Sequence, residues 1–323
     1  MIDGHVHLVG NGSSGAGATL SLRSPQHRLL ARLLLREVNL PASALHGNLD
    51  ELYRDRLIEL VEESPLTHAI VLAHEQSYTT DGRALPEFGS MYVPNNDVLS
   101  LVRRSRKLLA AVSIHPVRAD ALYELDRCVD AGAVMMKCLP NCQNIDCSNR
   151  RYQPFWERMA HHGIPLLAHT GGELSLRVYD SRLADPALLE LPLRCGVTVI
   201  AAHCGTASLL WDRNYLSALG KMMEIHPNLY GDNSGMQTPF RSRHFKGLLG
   251  APLHRRIVHG SDFPIPVSGL WGAFRGLVPW RKWWRTRRES NPFTRDIQLK
   301  QAMGFSPETF TRLGQLLPGG RLG

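Results

Sequence analysis

The sequence has few cysteines and lacks the paired spacing that marks a zinc-finger site. Six cysteines occur in 323 residues, and no two of them form a C-x-x-C pair. Cys138, Cys142 and Cys147 form the most closely spaced group, but structural zinc sites use tighter pairs. We therefore predict scattered reduced thiols.

Long hydrophobic runs and a secretion signal are also missing. No run approaches the roughly 18 apolar residues that cross a membrane. Met1 leads directly into a strand-like segment that contains histidines, without a basic stretch followed by an apolar one. The expectation is a protein that has no membrane span and works in the cytoplasm.

Neither sign of charge dominates strongly. The 37 Lys and Arg residues exceed the 29 Asp and Glu residues by 8. A balance of this size favours anionic partners in general but is too small to indicate nucleic-acid binding. The expected partner is a small-molecule substrate with an anionic group, and a homodimer is compatible with the composition.

Eight short apolar runs that end in polar residues are the main structural signal. They cover residues 1–8, 68–75, 108–116, 134–140, 165–171, 197–205, 228–235 and 257–264. Helix-like stretches lie between most of them; in one, Tyr53, Leu57, Leu60 and Val61 share a face. Continuous apolar strands that alternate with amphipathic helices predict a parallel sheet buried on both sides.

The spacing of the later runs favours a closed (β/α)8 barrel. Their last polar residues, Lys137, His169, His203, Asn233 and Asp262, are 32, 34, 30 and 29 residues apart. Each interval is one strand and one helix, and eight such units close into a barrel whose active site lies at the carboxyl ends of the strands. A doubly wound open sheet is the alternative, but the glycines of residues 10–17 lack its G-x-G-x-x-G spacing.

Three longer connections interrupt the regular units of this single domain, residues 1–323. They cover residues 9–49, with a helix predicted at 27–40, residues 76–94 and residues 265–295. Each follows the carboxyl end of a strand, so all three should lie above the barrel mouth as lids.

Ligand-type side chains recur at these strand ends. His5 and His7 are two residues apart, so on a strand both point to the same face. Lys137, His169, His203 and Asp262 end later strands. Imidazole and carboxylate groups suit zinc and related divalent ions. Because unpaired buried polar groups are costly, their convergence predicts a metal site rather than a filled core.

The motifs at these positions resemble those of the amidohydrolase superfamily. They are Asp3-Gly4-His5-Val6-His7, His169-Thr170-Gly171, Ala202-His203-Cys204-Gly205 and Gly260-Ser261-Asp262-Phe263-Pro264. The most similar branch contains aminocarboxymuconate-semialdehyde decarboxylase and its hydrolase relatives. The resemblance covers residues 1 to about 265, and it implies a distorted (β/α)8 barrel that binds one or two divalent metal ions, zinc being the first choice.

The resemblance also implies roles for single residues. It makes His5, His7, His169 and Asp262 ligands of a first metal ion, and His203 either a ligand or a hydrogen-bonding partner of the bound water. Lys137 matches a position where binuclear members carry a carboxylated lysine that bridges two ions. The alternative for Lys137 is an ammonium group that anchors substrate.

Three functions follow as hypotheses. In a hydrolase of an amide, lactone or ester, the metal lowers the pKa of water from about 15.7 to about 7. Asp262 then takes the proton and passes it to the leaving group, while His203 orients the water or polarises the carbonyl. The second hypothesis is a lyase that decarboxylates or hydrates a carboxylated metabolite. The third is a binding protein without catalysis.

Further side chains are candidates for substrate contact. His74 and His115 end the second and third strands, and Asn233 ends the seventh. His259 lies three residues before Asp262, so strand alternation turns it to the opposite face, where it packs. The Trp/Arg-rich segment 280–288 has three interpretations, namely a lid that grips a carboxylate, an anionic membrane contact or a nucleic-acid contact. Its position after the eighth strand favours the lid.

Overall fold

The structure is a computed structural model that describes residues 1–22, 25–250 and 253–320. Eight strands form one parallel sheet in chain order. They are β1 Ile2–His7, β2 His68–Leu72, β3 Leu108–Val112, β4 Ala133–Cys138, β5 Leu166–His169, β6 Val199–Ala202, β7 Leu229–Asp232 and β8 Ile257–Val258. This order confirms the (β/α)8 barrel and excludes a doubly wound sheet, in which the strand order reverses.

The segment after β8 returns to β1 and joins the two ends of the sheet. Val6 forms a parallel bridge with Phe263. The His7 amide donates to the Phe263 carbonyl at 2.8 Å, and the Asp262 amide donates to the His5 carbonyl at 2.9 Å. These bonds place Asp262 directly beside His5 and His7.

A buried carboxylate and a glycine tighten this seam between the first and last strands. Oδ1 of Asp3 accepts hydrogen bonds from the His5 amide at 3.0 Å and from the Ser261 amide at 2.9 Å. A Cβ atom at Gly260 would lie 2.7 Å from the Cβ of His5, closer than real side chains approach. Glycine is therefore required at position 260 for the two segments to meet.

Twelve α-helices surround the sheet in the described part of the chain. They are α1 Pro25–Glu37, α2 Leu49–Glu62, α3 Asn95–Leu101, α4 Ala121–Asp130, α5 Pro140–Gln143, α6 Gln153–His162, α7 Glu190–Arg194, α8 Leu216–Ile225, α9 Phe245–Leu248, α10 Leu270–Phe274, α11 Trp280–Thr286 and α12 Pro292–Met303. The predicted apolar face of α2 is buried against the barrel.

Alternate residues of the strands belong to two separate apolar clusters. Ile70 and Leu72 of β2 pack in a small cluster with Leu167 of β5. Ala69 and Val71 of the same β2 strand pack in the larger cluster that also contains the helix side chains. Because successive side chains point to opposite faces, the small cluster fills the barrel interior and the large one lies between barrel and helices.

Several strands end earlier than the sequence predicts. The eighth run was expected over 257–264, but β8 covers Ile257–Val258. Beyond the strands, His203 and Asp262 take the left-handed backbone conformation, with φ of 58° and 67°. Non-glycine residues seldom adopt this conformation, and it turns the chain out of the sheet at the points where these polar side chains are needed.

The first two long connections meet in a small antiparallel ribbon. Thr19–Leu20 pairs with Met91–Tyr92. The predicted helix at 27–40 corresponds to α1, while positions 23 and 24 of that connection lie outside the described residues. Across the described ranges, no helix has the length and apolar character needed to cross a membrane.

Candidate metal centre

His5, His7 and Asp262 bring three ligand atoms together at the carboxyl end of the barrel. Nε2 of His5 lies 3.2 Å from Nε2 of His7. Oδ1 of Asp262 lies 3.4 Å from the first nitrogen and 3.3 Å from the second. Within the described ranges, these three residues form the one group of His, Cys, Asp or Glu that could hold a metal ion.

The hydrogen bonds of His5 fix which of its nitrogens faces this group. Its Nδ1 lies 2.8 Å from Oδ2 of Asp232, and a carboxylate oxygen accepts. Nδ1 therefore carries the hydrogen, and Nε2 keeps its lone pair toward His7 and Asp262. Metal-binding histidines are oriented by such carboxylate partners.

The charge states of the group also suit a cation. Burial, followed by the nearby Lys137 charge, lowers the pKa of His5 well below its ordinary value, so the ring is neutral at pH 7. Burial alone would raise the pKa of Asp262, but His5, His7 and Lys137 outweigh it and lower that pKa. Two imidazoles and one carboxylate are a donor set typical of catalytic zinc sites.

His203 lies on the other side of Asp262. Its Nδ1 is 2.9 Å from Oγ of Ser234 and 4.0 Å from Oδ2 of Asp262. The Ser234 hydroxyl donates to Asp232 at 2.5 Å, so its oxygen accepts from His203. The tautomer that results carries hydrogen on Nδ1 and a lone pair on Nε2.

His169 completes the histidine cluster but is not part of the tight three-residue group. Its ring centre is 4.9 Å from that of His203. Its Nε2 lies 3.2 Å from the Gly172 carbonyl and therefore carries the hydrogen. Burial, followed by the His203 charge, lowers the pKa of His169 well below its ordinary value. A neutral ring with its lone pair on Nδ1 remains available as a ligand.

Lys137 is fully buried beside these groups. Its Nζ lies 3.1 Å from Nε2 of His5. Burial lowers the pKa of Lys137, although Asp232 and Asp262 oppose the shift. The structure thus brings the predicted lysine to the centre, where its ammonium group donates toward the His5 lone pair.

Asp232 was missed by the sequence analysis, which selected the next residue. Its Oδ1 accepts from the His203 amide at 2.7 Å and from the Ser234 amide at 3.1 Å, while Oδ2 holds His5. Asn233 points elsewhere, and its Oδ1 accepts from the Gly260 amide at 3.2 Å. The available signal was the Gly-Asp-Asn-Ser run at the end of β7.

Arg241 and Glu173 were also missed, because both lie beyond the predicted strands, Glu173 in the loop after β5 and Arg241 at the start of a short 3-10 helix after β7. Arg241 is buried, and its guanidinium donates to the Gly172 carbonyl at 2.5 Å and to the Thr206 carbonyl at 2.9 Å. Glu173 accepts from the Leu176 amide at 3.0 Å and lies 3.6 Å from His169. Burial raises the pKa of Glu173 and lowers that of Arg241.

The three predicted substrate contacts are buried but do not line the cavity above the centre in the part of the chain that the structure describes. His115 packs on Tyr78, with ring centres 4.8 Å apart, and its Nε2 donates to the Gln143 carbonyl. His74 pairs through its backbone with Val93. Burial, followed by the charges of His7 and Lys137, lowers the pKa of His74 to about 3. Asn233 instead accepts a hydrogen bond from the Gly260 amide.

The Trp/Arg-rich segment 280–288 is not a lid over the centre. No residue of α11 lines the cavity within the described ranges, and α11 packs on α10 and α12. Arg287 stacks on the Trp284 ring at 3.9 Å rather than reaching inward. In the described ranges, no arginine of this segment lines the cavity, so the predicted arginine grip does not form there.

A cavity of about 300 Å³ opens above the centre. His5, His7, Lys137, His169, His203 and Asp262 line its floor. The walls come from α1, from the small ribbon, and from the loops after β5, β7 and β8. Residues of the first two long connections therefore line this cavity.

Comparisons with known proteins agree with this architecture. The family described as Amidohydrolase matches residues 2–283. An uncharacterized TIM-barrel protein from Bordetella bronchiseptica has a TM-score of 0.59 at 16% identity, covering 94% of this chain and 99% of its own. A putative 2-pyrone-4,6-dicarboxylic acid hydrolase from Pseudomonas putida has a TM-score of 0.52 at 15% identity, covering 99% and 95%.

A third solved structure is 5-carboxyvanillate decarboxylase from Sphingomonas paucimobilis. Its TM-score is 0.48 at 13% identity, covering 95% of this chain and 99% of its own. Comparison with curated proteins gives no significant match. At these identities the two matches with TM-scores above 0.5 support the fold, and the reaction is argued from the site.

Proposed function

The chain belongs to the amidohydrolase family, and from that premise we propose that it is a metal-dependent hydrolase of a carbonyl compound, namely an amide, a lactone or an ester. One observation carries the proposal. Nε2 of His5, Nε2 of His7 and Oδ1 of Asp262 converge from β1 and from the segment after β8 at the floor of the cavity. Two imidazoles and an ionised carboxylate together suit a divalent cation, and we propose zinc.

The proposed ligands are His5, His7, His169 and Asp262. When bound, a divalent cation supplies a water molecule whose pKa is lowered toward neutrality and a positive charge for the developing oxyanion. Lys137 decides the number of ions, because its carboxylated form would add two anionic oxygens beside His5. An unmodified Lys137 would instead donate a hydrogen bond at the same position.

Asp262 is the proposed proton acceptor. The neighbouring imidazoles and Lys137 lower its pKa, so the carboxylate is ionised at neutral pH and able to accept a proton. One of its oxygens faces His5 and His7, and the other faces His203 at 4.0 Å. Oδ1 of Asp262 is therefore the proposed metal ligand, and Oδ2 is the proposed proton acceptor.

His203 is the proposed group that orients water or polarises the substrate carbonyl. Its Nδ1 hydrogen is held by Ser234, which in turn donates to Asp232. These two hydrogen bonds fix the tautomer of His203. Its Nε2 therefore offers a lone pair and not a hydrogen while the ring is neutral. A ring that has accepted a proton would donate from Nε2 toward a developing oxyanion.

The direct test is turnover in ¹⁸O-labelled water by zinc-loaded protein, with short-chain and long-chain anilides, lactones and esters as substrates. We expect one labelled oxygen in the product acid, because hydrolysis consumes water. Asp262→Asn should lower kcat by about 10²- to 10⁴-fold, with its zinc content measured alongside. Carbon dioxide release without label, or undiminished kcat in that variant, would contradict the proposal, and the former would favour a lyase.

A further inference from the structure

One face of α1 forms an apolar wall of the cavity. His27, Leu30, Ala31, Leu34 and Leu35 all line it, at positions i, i+3, i+4, i+7 and i+8 of the helix. This spacing is the stripe of an amphipathic helix. The stripe lines the space above the metal centre, and at its end Leu35 also belongs to the packed core.

The leucines at the centre of this stripe are incompletely buried. Leu30 and Leu34 have intermediate exposure, whereas Leu35 at the edge of the stripe is 3% exposed. An apolar side chain that faces an open cavity keeps part of its surface in water, which forfeits the free energy of burial. A substrate that covers these leucines would recover it.

The opposite walls are apolar as well. Leu20 and Met91 of the small ribbon, Leu176 after β5, Phe240 after β7 and Ile265 after β8 all line the same cavity. These residues come from five separate segments, so the apolar character does not belong to one helix alone. Of the charged side chains that line the cavity in the described ranges, Lys137 and Asp262 lie at its floor, and the others are Glu173 and Arg241.

The arrangement fits a substrate with a polar end and an apolar end. A small carboxylated metabolite would be held at the floor and would leave most of the wall uncovered. Arg241, the one arginine that lines the cavity in the described ranges, already donates to the Gly172 and Thr206 carbonyls. The overall charge favours an anionic substrate, but the walls of the cavity favour an apolar one.

We propose that the substrate carries an extended apolar group, of the kind found in medium-chain N-acyl or O-acyl compounds and alkyl lactones. This inference rests on the proposed function for the position of the scissile carbonyl at His5, His7 and Asp262. The apolar chain lies against α1, the ribbon and the loops after β5, β7 and β8. Leu30 and Leu34 are the residues that determine chain-length specificity.

The binding test is independent of catalysis. Linear alkan-1-ols from butanol to decanol are titrated calorimetrically into metal-free and zinc-loaded protein. Each methylene that enters the apolar space should lower Kd about 3- to 4-fold until the space is full, in both forms of the protein. A Kd that does not change with chain length would overturn the inference.

Two pairs of variants on α1 show whether the helix supplies the wall. Leu34→Gln should flatten the dependence of Kd on chain length, and Leu34→Trp should shorten the longest chain that still gains affinity. Leu33→Gln and Leu33→Trp are matched controls, because Leu33 lies on the outer face of the same helix and is 45% exposed. Equal effects at positions 33 and 34 would contradict the assignment.

The kinetic counterpart is a series of N-acyl anilides from acetyl to decanoyl with zinc-loaded protein. We expect kcat/KM to rise about 3- to 4-fold per methylene, chiefly through KM. Hydrolysis of short anilides at the same kcat/KM as long ones would overturn the apolar-chain inference and leave the hydrolase standing. Alcohol binding that depends on alkyl chain length, without hydrolysis of any anilide, would support the apolar-chain inference and contradict the proposed hydrolase activity.

Discussion

His5 is oriented by a carboxylate that lies outside the proposed ligand set. Asp232 accepts from Nδ1 of His5 at 2.8 Å and, with its other oxygen, from the His203 amide at 2.7 Å. One side chain therefore sets the ring of a proposed ligand and the backbone of the proposed orienting residue. Removal of the Asp232 carboxylate should therefore disturb both His5 and His203.

Asp232→Asn should weaken zinc binding by about 10- to 100-fold, because an amide is a poorer partner for a metal-binding imidazole than a carboxylate. The measurement is competitive titration against a chelator of known affinity. Asp126→Asn is the control, since Asp126 pairs with His162 at 2.7 Å outside the site. Equal zinc affinity in all three proteins would show that Asp232 does not support His5.

The buried His115 side chain should make the folded protein less stable in acid. The Val117 amide donates to Nδ1 of His115 at 3.1 Å, so protonation of this nitrogen breaks a buried hydrogen bond. Burial lowers the pKa of His115 from 6.5 to about 4. The unfolded chain therefore binds a proton between these pH values and the folded chain does not, so stability is lost as pH falls.

His115→Gln should lose less free energy of unfolding than the wild type between pH 7 and pH 4.5, by up to about 3 kcal/mol. Urea unfolding at both pH values measures the difference. His161→Gln is the control, because His161 is exposed on α6. The idea fails if His115→Gln and the wild type lose stability in parallel.

The proposed metal ligands could be predicted from the sequence, whereas their supporting residues could not. The alternation of side chains along a strand is enough to put His5 and His7 on one face. Asp232 and Asn233 are adjacent at the end of β7, and which of them faces the centre depends on how the backbone leaves the strand. Arg241 reaches the cavity through a loop that no periodicity describes.

At the scale of single elements, helix α12 depends on its first turn. Oδ1 of Asn291 accepts from the Phe293 amide at 3.1 Å and from the Thr294 amide at 3.3 Å. Its Nδ2 donates to the Leu60 carbonyl at 2.8 Å, at the end of α2. The same amide therefore caps one helix and ties it to another.

Asn291→Ala should lower the free energy of unfolding by about 2 kcal/mol, because it removes the cap and leaves the Leu60 carbonyl unpaired. Asn291→Asp should cost less, since it keeps the cap and loses the donor. Guanidinium unfolding of the three proteins tests the order. A change below about 0.5 kcal/mol in the alanine variant, the usual limit for an unimportant surface site, would show that the cap does not matter.

Helices with a clear apolar face were predicted well, and irregular segments were not. The face of Tyr53, Leu57, Leu60 and Val61 is that of α2, and Gly163 ends α6 in the left-handed conformation, with φ of 65°. The lid prediction for segment 280–288 was wrong. Its composition suits a charged clamp, but whether α11 turns toward or away from the mouth is decided by packing on α12.

At the scale of the whole molecule, the seam between β1 and the segment after β8 joins the two ends of the sheet. The Asp3 carboxylate, the His5 carbonyl and the Val6 bridge all connect to residues 261–263. The strand order was predictable because repeated units of about 30 residues leave few alternatives. The seam could not be predicted, because it depends on the close approach of Gly260 to His5.

Because the seam links the first and last strands, the chain should unfold as one domain. We expect a single cooperative transition in urea, with coincident curves from far-ultraviolet circular dichroism and tryptophan fluorescence. Gly260→Val should destabilise the protein strongly, since its Cβ would clash with His5. Two separated transitions in the wild type would contradict the single-domain description.

We propose that β1 and the segment after β8 build one cation site from His5, His7 and Asp262. Metal analysis of the purified, dialysed protein by mass spectrometry, alongside a His5→Ala, His7→Ala double variant, tests it most directly. We expect one or two divalent ions per folded wild-type chain and a loss of at least one in the double variant. A wild type that binds no divalent ion, or a folded double variant that retains the same content, would contradict it.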